Sequence, residues 1–296
     1  MKVLVTGSDG QLASQLAIAL KELNWIELLL ANKQTLDITD AQRVDSFIEM
    51  HRPNVVINTA AFTSVDDAEN FVFEANQINH LGAANLAGSA AKIDAVIIQL
   101  STDYVFSGKQ SIPYVESDVA EPVNTYGKTK LDGENAVVRS NRKHIVVRTS
   151  WIFGEQCKNF YLTILNLLST KNQISVVNDQ IGAPTYVLDV VDLIAKILTK
   201  LNQQEKLDWG IYHYSGYPFV SWFDFAKQIK LVFEPIGNLC ELTGISTELY
   251  NSAAKRPLNS CLNSNKTCDY FGVSPSDWLS ALTELAVKRK SNECKS

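Results

Sequence analysis

The chain has 296 residues, of which 46% are hydrophobic and 20% charged, and its formal net charge is −5. This length and composition are typical of a globular protein with one large domain or two unequal domains. The negative charge, without any Lys/Arg cluster, argues against nucleic acid as a partner.

The N-terminal run MKVLVT enters a predicted strand directly, without the apolar segment and cleavage site of a signal peptide. The most apolar stretch, residues 16–30, contains Lys21, Glu22 and Glu27, so we expect no membrane span. The five cysteines show no C-x-x-C spacing, which favours free thiols over a disulfide framework. We therefore expect a cytoplasmic protein that does not contact a membrane.

The first half of the chain alternates short apolar runs with amphipathic helical segments. Uninterrupted Val/Ile/Leu runs between helices are typical of a parallel sheet that is covered on both faces. The pattern predicts an α/β fold, a Rossmann-type doubly wound parallel sheet. The predicted strands are 3–6, 26–30, 55–58, 95–101 and 144–151.

The second half is less regular and predicts a smaller mixed C-terminal substrate domain. Its predicted elements are helices at 159–168 and 222–234, a strand at 174–179, a helix after Pro184 and a fraying tail, 287–296. We assign residues 1–153, with a returning segment of about 185–215, to a dinucleotide-binding domain. Residues 154–184 and 216–296 are assigned to a nucleotide-sugar-binding domain. The aromatic residues of 222–233 lie at helical spacing, which favours core packing.

A glycine loop joins the first strand to the first helix. In VLVTGSDGQLA, Gly7 and Gly10 lie at this junction, and Ala13 takes the third small position of the pattern. Glycines here permit a tight turn and let backbone N–H groups approach a pyrophosphate at the helix N-terminus. The loop therefore predicts a dinucleotide site, although a plain strand-to-helix turn has the same appearance.

The end of the second strand carries Asn32 and Lys33, where an NAD-dependent protein usually has an acidic residue for the ribose. A missing carboxylate and an available cation favour a 2′-phosphate. We expect NADPH as the cofactor, with NADH as the alternative.

Tyr126 and Lys130 lie four residues apart, so on a helix both side chains project from one face. A neighbouring ammonium lowers the pKa of a tyrosine and makes the pair a general acid–base. The segment STDYVF follows the 95–101 strand at the carboxyl edge of the sheet, where Ser101 or Thr102 can hydrogen-bond the reacting oxygen. In isolation, this spacing is more often found as an exposed Tyr and Lys on an unremarkable helix.

Taken together, the motifs resemble the extended short-chain dehydrogenase/reductases, and within them the dTDP-4-dehydrorhamnose reductase family. The resemblance covers nearly the whole chain. It is carried by TGSDGQLA, LDITD, PNVVINTAAFTSVDDAE, INHLGAANLA, STDYVFSG, YGKTKLDGE, RTSWIFG, DQIGAPT, GIYHYSG with SWFDFA, and KRPLNS.

The resemblance implies a role for each matching position. Tyr126 would donate a proton to the substrate oxygen, Lys130 would lower its pKa and hold the nicotinamide ribose, and Thr102 would orient the sugar carbonyl. Trp151 and Asp103 would contact the same sugar. The remaining implied cofactor contacts are Gly10, Gln11, Leu12, Asp37, Ile38, Ala61, Phe62, Thr63 and Leu100.

The implied reaction is hydride delivery to C4 of dTDP-4-dehydro-L-rhamnose, which gives dTDP-L-rhamnose for surface polysaccharide. Gln15 stands where some relatives carry a glutamate linked to a metal-bridged dimer, so we do not predict a metal site or that dimer, and whether the chain forms a homodimer stays open. Asp67 stands where many relatives have lysine.

Three further residues are candidates for the nucleotide pocket: Gln180, Arg256 and Asn259. A guanidinium fits phosphate oxygens bidentately, although a surface ion pair is an equal alternative for Arg256.

Two other functions stay open. A dehydratase or epimerase would share the fold, but dehydratases of this type follow the active-site Thr with Asp-Glu, and here Tyr104 follows Asp103. A regulatory subunit resembling that of methionine adenosyltransferase would need no catalysis.

Overall fold

A six-stranded parallel sheet forms the centre of the protein. The computed structural model describes residues 1–233 and 240–293. The sheet contains β1 (Lys2–Thr6), β2 (Glu27–Ala31), β3 (Val55–Asn58), β4 (Val96–Thr102), β5 (His144–Thr149) and β10 (Gly210–His213). The spatial order is β10-β5-β4-β3-β1-β2, so the direction of winding reverses between β1 and β3. The predicted doubly wound α/β fold is confirmed, with its ligand crevice expected at the carboxyl ends of these strands.

Both faces of this sheet are buried, which explains the uninterrupted apolar runs. Side chains alternate along each strand: Val3 and Val5 belong to one core cluster and Leu4 to the other. The first face is covered by α1 (Gln11–Lys21) and α8 (Val187–Asn202). The second is covered by α2 (Ala41–His51), α5 (Ala83–Lys92) and α6 (Thr125–Ser140).

Short helical segments connect the sheet to the helices of the second face. They are α3 (Val65–Asn70), α4 (Val72–Asn76), a π-helical turn (Gln77–Gly82) that runs into α5, and a 3₁₀ turn (Asp103–Val105) directly after β4. This last turn places three consecutive side chains at the carboxyl end of β4, next to α6.

In the part of the chain that the structure describes, the C-terminal region adds small sheets and four helices. Its strands are β6 (Ile152–Phe153), β7 (Gln173–Val177), β8 (Ile181–Gly182), β9 (Thr185–Tyr186), β11 (Val220–Ser221) and β12 (Glu241–Ile245), which pair as β6–β9, β7–β12 and β8–β11. Its helices are α7 (Phe160–Thr170), α9 (Trp222–Phe233), α10 (Asn265–Phe271) and α11 (Trp278–Glu293).

Residues 287–293 of the predicted tail belong to helix α11 (Trp278–Glu293), and their fraying stays a prediction. Helix α11 continues to Glu293 because its buried Leu282 and Leu285 anchor it in the core. Residue 234, the last of the predicted 222–234 helix, and residues 294–296 lie outside the described residues.

Across residues 1–233 and 240–293, no helix is long and apolar enough to cross a membrane. Within the same ranges, no group of three or more His, Cys, Asp or Glu side chains could hold a metal ion. The cysteines described there, 157, 240, 261 and 268, are all free.

Candidate active site

A cavity of about 750 Å³ opens at the carboxyl ends of β1, β3, β4 and β5. This is the edge at which open α/β sheets bind ligands. The cavity brings cofactor and catalytic candidates together in one place. The predicted site residues that line it are Gly7, Gly10, Gln11, Leu12, Asn32, Lys33, Asp37, Ile38, Ala61, Thr63, Leu100, Thr102, Asp103, Tyr126, Lys130 and Trp151.

Four predicted site residues do not line this cavity, and each contacts another part of the protein. The backbone N–H of Phe62 donates to Asn79 at 2.8 Å. Gln180 is buried and donates to Thr247 at 3.1 Å. The remaining two are Asn259, which donates to the carbonyl of Gln110 at 2.7 Å, and Arg256, which forms a bidentate ion pair with Asp66 at 3.1 and 2.7 Å.

The glycine loop has the shape that a bound diphosphate requires. Gly7 has φ +68°, in the left-handed region, and a Cβ there would lie 2.7 Å from the backbone of Ala60. Gly10 is the N-cap residue of α1 and has no side chain that could accept from the first-turn N–H groups. These N–H groups therefore stay available at the positive end of the helix. Beside them, Nε2 of Gln11 is buried without a hydrogen-bond partner among the described residues. The loop therefore fits a dinucleotide.

At the other end of the cavity, the segment after β2 combines a fixed turn with positive charge. Asn32 Oδ1 accepts from both the N–H and the hydroxyl of Thr35 at 3.0 Å. Lys33 lines the cavity, and the guanidinium of Arg43 donates to the adjacent carbonyls of residues 34 and 35. Asp37 is already engaged, since its carboxylate accepts from Thr39 and this backbone hydrogen bond lowers its pKa. Lys33 is thus the cation that lines this end of the cavity, beside the carboxylates of Asp37 and Asp9.

Helix α6 holds Tyr126 in its first turn. Asn124 caps the helix by accepting from the N–H of Gly127 at 2.7 Å, and Glu69 accepts from the N–H of Thr125 at 2.8 Å. Thr102, at the end of β4, lies near enough to the Tyr126 hydroxyl to lower its pKa, and both side chains line the cavity. The sequence-predicted pair of Tyr126 and Thr102 is thus brought together by two elements that are distant in the chain.

Burial governs the titration of the Tyr–Lys pair. It raises the pKa of Tyr126 to about 12, with the Thr102 hydrogen bond lowering it and the Asp103 carboxyl raising it. Burial also lowers the pKa of Lys130 to about 8. The Lys130 ammonium donates to the carbonyl of Leu100 at 2.6 Å. The predicted net lowering of the Tyr126 pKa is wrong here, because desolvation of the phenolate dominates. The phenol stays protonated at neutral pH, as a proton donor must.

Asp103 is a buried carboxyl next to this pair, with 2% of its surface exposed. Burial raises its pKa to about 7, although hydrogen bonds with Ser260 and Thr102 limit the rise. Thr102 donates to it at 3.0 Å. A carboxyl of this kind changes protonation near neutral pH and is a candidate contact for a polar ligand.

Two glycines let α6 lie unusually close to its neighbours. A Cβ at Gly127 would lie 2.1 Å from the carbonyl oxygen of Tyr104, and one at Gly133 would lie 2.1 Å from that of Asn79. Both contacts are with backbone atoms, which cannot turn aside as a side chain can. The glycines thus weaken the helix locally but allow Tyr126 to reach the edge of β4.

The cavity also contains residues that sequence reasoning missed. Trp222, predicted only as core, lines it and stacks on Trp151 with ring centroids 3.4 Å apart. Trp151 itself has φ +44°, and its Nε1 is buried without a partner among the described residues. The same holds for the hydroxyl of Thr149, which pairs in register with Thr102. The local sequence pattern does not indicate that Trp222 or Thr149 lies in the cavity.

A doubly wound sheet, a glycine loop at its first turn and a Tyr-x-x-x-Lys pair at its carboxyl edge define an extended short-chain dehydrogenase/reductase. Residues 1–290 match the family described as "RmlD substrate binding domain". The dTDP-4-dehydrorhamnose reductase of Aggregatibacter actinomycetemcomitans is 41% identical over 287 residues, 96% of this chain and 98% of that protein. The chain belongs to the dTDP-4-dehydrorhamnose reductase family.

Solved structures agree with that membership. The dTDP-4-dehydrorhamnose reductase of Clostridium acetobutylicum superposes with a TM-score of 0.89 at 38% identity, covering 96% of this chain and 98% of that one. The Bacillus anthracis enzyme, solved in complex with NADP, superposes with a TM-score of 0.88 at 35% identity, covering 97% and 99%.

Proposed function

We propose that this protein uses NADPH to reduce the C4 ketone of dTDP-4-dehydro-L-rhamnose, giving dTDP-L-rhamnose, the last step in making this sugar donor for surface polysaccharide. One observation carries the proposal: Thr102, Tyr126 and Lys130 line the same cavity as the glycine loop. The relatives named above carry this activity in their names, and the Bacillus anthracis relative is in complex with NADP.

The cofactor site in this proposal uses the groups already described. NADPH, when bound, supplies the hydride. The first-turn N–H groups of α1 and the side chain of Gln11 hold its diphosphate, and Lys33 binds the 2′-phosphate, a contact that NADH would lack. Further proposed contacts are Gly7, Gly10, Leu12, Asn32, Asp37, Ile38, Ala61, Phe62, Thr63 and Leu100.

The proton chemistry follows from the protonated state of Tyr126. Thr102 orients the ketone when its hydroxyl turns from Asp103 to the ketone oxygen. Tyr126 donates its proton to this oxygen, which becomes the 4-hydroxyl. The phenolate left on Tyr126 is then stabilised by the ammonium of Lys130. Asp103 and Trp151 contact the sugar from the same edge of the cavity. A phenol with a pKa of about 12 is a donor throughout the physiological range.

Dehydration is a weaker candidate because water elimination uses a second acid. The residue after Asp103 is Tyr104, a buried phenol whose pKa burial raises further. It cannot act as a carboxylic acid. An epimerase would keep its dinucleotide through purification, so the absorbance spectrum of the isolated protein separates that class from a reductase. A regulatory subunit would bind a partner without oxidising NADPH.

The experiment is a turnover assay with a panel of 4-keto nucleotide sugars. Turnover is measured as the loss of the absorbance of the reduced nicotinamide. We expect the fastest oxidation with dTDP-4-dehydro-L-rhamnose. A faster reaction with another 4-keto sugar would change the substrate, and no oxidation with any of them would favour the regulatory reading.

The nucleotide end of the substrate is proposed to contact Gln180, Arg256 and Asn259. Arg256 would have to exchange Asp66 for the substrate diphosphate. Arg256→Met should then raise the KM for the sugar nucleotide, and an unchanged KM would remove Arg256 from the site.

Domain roles, assembly and location are further proposals. Residues 1–153 with 185–215 would bind the cofactor, and 154–184 with 216–296 the nucleotide sugar, which binding measurements on variants of each part can test. A homodimer and a cytoplasmic location are tested by light scattering and by cell fractionation.

A further inference from the structure

A buried carboxylate lies one helical turn after Lys130 on α6. Glu134 has 1% of its surface exposed. The hydroxyl of Ser101, on β4, donates to its Oε1. The guanidinium of Arg148, on β5, donates to both carboxylate oxygens, with the shortest contact at 2.7 Å. Glu134 therefore joins the catalytic helix to the two strands whose ends carry Thr102 and Thr149.

The arginine in this pair is itself held from the far side. Its guanidinium lies over the ring of Phe106 at 5.1 Å, and Nη1 lies 3.3 Å from Nε2 of His213. Burial and the charge of Arg148 lower the pKa of His213 to about 3, so the imidazole is neutral. Its Nδ1 faces the carbonyl of Tyr114 at 3.1 Å, so Nδ1 carries the proton and Nε2 accepts from the arginine. The ion pair is thus fixed at both ends.

Glu134 supplies the negative charge that acts on Lys130. Burial lowers the pKa of Lys130, and Glu134 opposes that change. The other charged or titratable groups on α6 and on the elements packed against it are Tyr126, Lys128, Asp132, Arg139, Asp66, Asp67, Glu69, Glu74, His80, Lys92, Asp103, Tyr104, His144 and Arg148. Among these groups and Glu134, the charge that acts on the pKa of Lys130 is that of Glu134.

We propose that Glu134 is a positioning residue for the reductase: fixed by Ser101 and Arg148, it sets α6 on the sheet and keeps the ammonium of Lys130 charged toward the cofactor. The inference rests on the proposed function only for the identity of the cofactor. A purely structural ion pair is the alternative, since a buried pair of this kind often adds little to stability. The two interpretations differ in the pH at which Lys130 loses its charge once the Glu134 carboxylate is neutralised.

The test is NADPH affinity as a function of pH, measured by the fluorescence of the bound cofactor without any sugar. If Lys130 must be charged to bind the ribose, wild-type affinity falls as pH rises through about 8. In Glu134→Gln this fall should begin about one pH unit lower, because the ammonium has lost the negative charge of Glu134. Glu134→Asp, which keeps a more distant charge, should lie between the two.

Asp132→Asn is the matched control. It removes a carboxylate from the same helix, but one that pairs with Lys128 at 3.0 Å on the exposed side, so its pH midpoint should equal that of the wild type. Asp103 also titrates near pH 7, but it is common to all the variants.

If Glu134→Gln binds NADPH more weakly at every pH but the pH midpoint of binding equals that of the wild type, the proposal is overturned. Glu134 and Arg148 would then form a purely structural ion pair. If Glu134→Gln does not fold, because Arg148 is left buried without its partner, the midpoint of Glu134→Asp decides in the same way. Absence of sugar turnover would defeat the proposed function without touching this binding result.

Discussion

Gly127→Ala gives a sharp test of why the catalytic helix contains glycine. In a free helix this substitution stabilises by about 1 kcal/mol. Here the new Cβ would lie 2.1 Å from the Tyr104 carbonyl oxygen, whereas ordinary contacts begin at 3.4 Å. The helix and the turn after β4 must therefore separate by more than about 1 Å. Overpacking of this kind costs about 1–3 kcal/mol, and the upper end applies because both partners are constrained by the backbone. We expect a net loss of about 2 kcal/mol.

The same displacement moves Tyr126 away from Thr102, and a shift of about 1 Å in a reacting group costs on the order of 100-fold in rate. Urea unfolding and kcat/KM should both be measured, with Gly88→Ala as the control. Gly88 lies in α5, and a Cβ there meets nothing within 4 Å, so that variant should gain up to about 1 kcal/mol. A Gly127→Ala protein that is as stable and as active as Gly88→Ala would refute the close-packing account.

Two further predictions concern the cavity. Asp103 has its pKa raised to about 7, above its unfolded value near 4, so the folded state binds more protons between these pH values. The Asp103 contribution to the unfolding free energy should therefore decline from about pH 4 to about pH 7, while His213, whose pKa burial lowers to about 3, contributes a rise over much of the same range. The prediction is thus made for the difference between proteins: the unfolding free energy of the wild type minus that of Asp103→Asn should fall as the pH rises from about 4 to about 7. Parallel urea titrations in which this difference does not change with pH would contradict it. Trp222→Ala removes the ring that stacks on Trp151, so the KM for the sugar should rise about tenfold while NADPH affinity stays constant. A loss confined to NADPH binding would be inconsistent with a sugar-side role.

The sheet and the catalytic edge could be predicted because their signals are local. The run VVIN forms β3 at the predicted residues 55–58, and the other predicted strands lie within two residues of those observed. The glycine loop and the i, i+4 spacing of Tyr126 and Lys130 each fit within a single turn or helix. Parallel strands bring their carboxyl ends to one edge of the sheet. The meeting of the glycine loop and the Tyr126–Lys130 pair with Thr102 at that edge therefore followed from the fold.

The contacts that the sequence did not reveal join residues far apart in the chain. Trp222 packs on Trp151 from a different part of the fold, and its aromatic spacing was indistinguishable from that of core residues such as Phe225. Arg256 pairs with Asp66, 190 residues away. The titration of Tyr126 was also misjudged, because spacing gives the position of the ammonium but not the desolvation of the phenolate.

The central claim is that Tyr126 donates the proton in the NADPH-dependent reduction of a 4-keto nucleotide sugar. It is tested most directly by NADPH oxidation with dTDP-4-dehydro-L-rhamnose, comparing the wild type with Tyr126→Phe. We predict turnover by the wild type, and no turnover by the variant, which should still bind NADPH with nearly unchanged affinity. An inactive wild type, or a variant that turns over at the wild-type rate, would contradict the account.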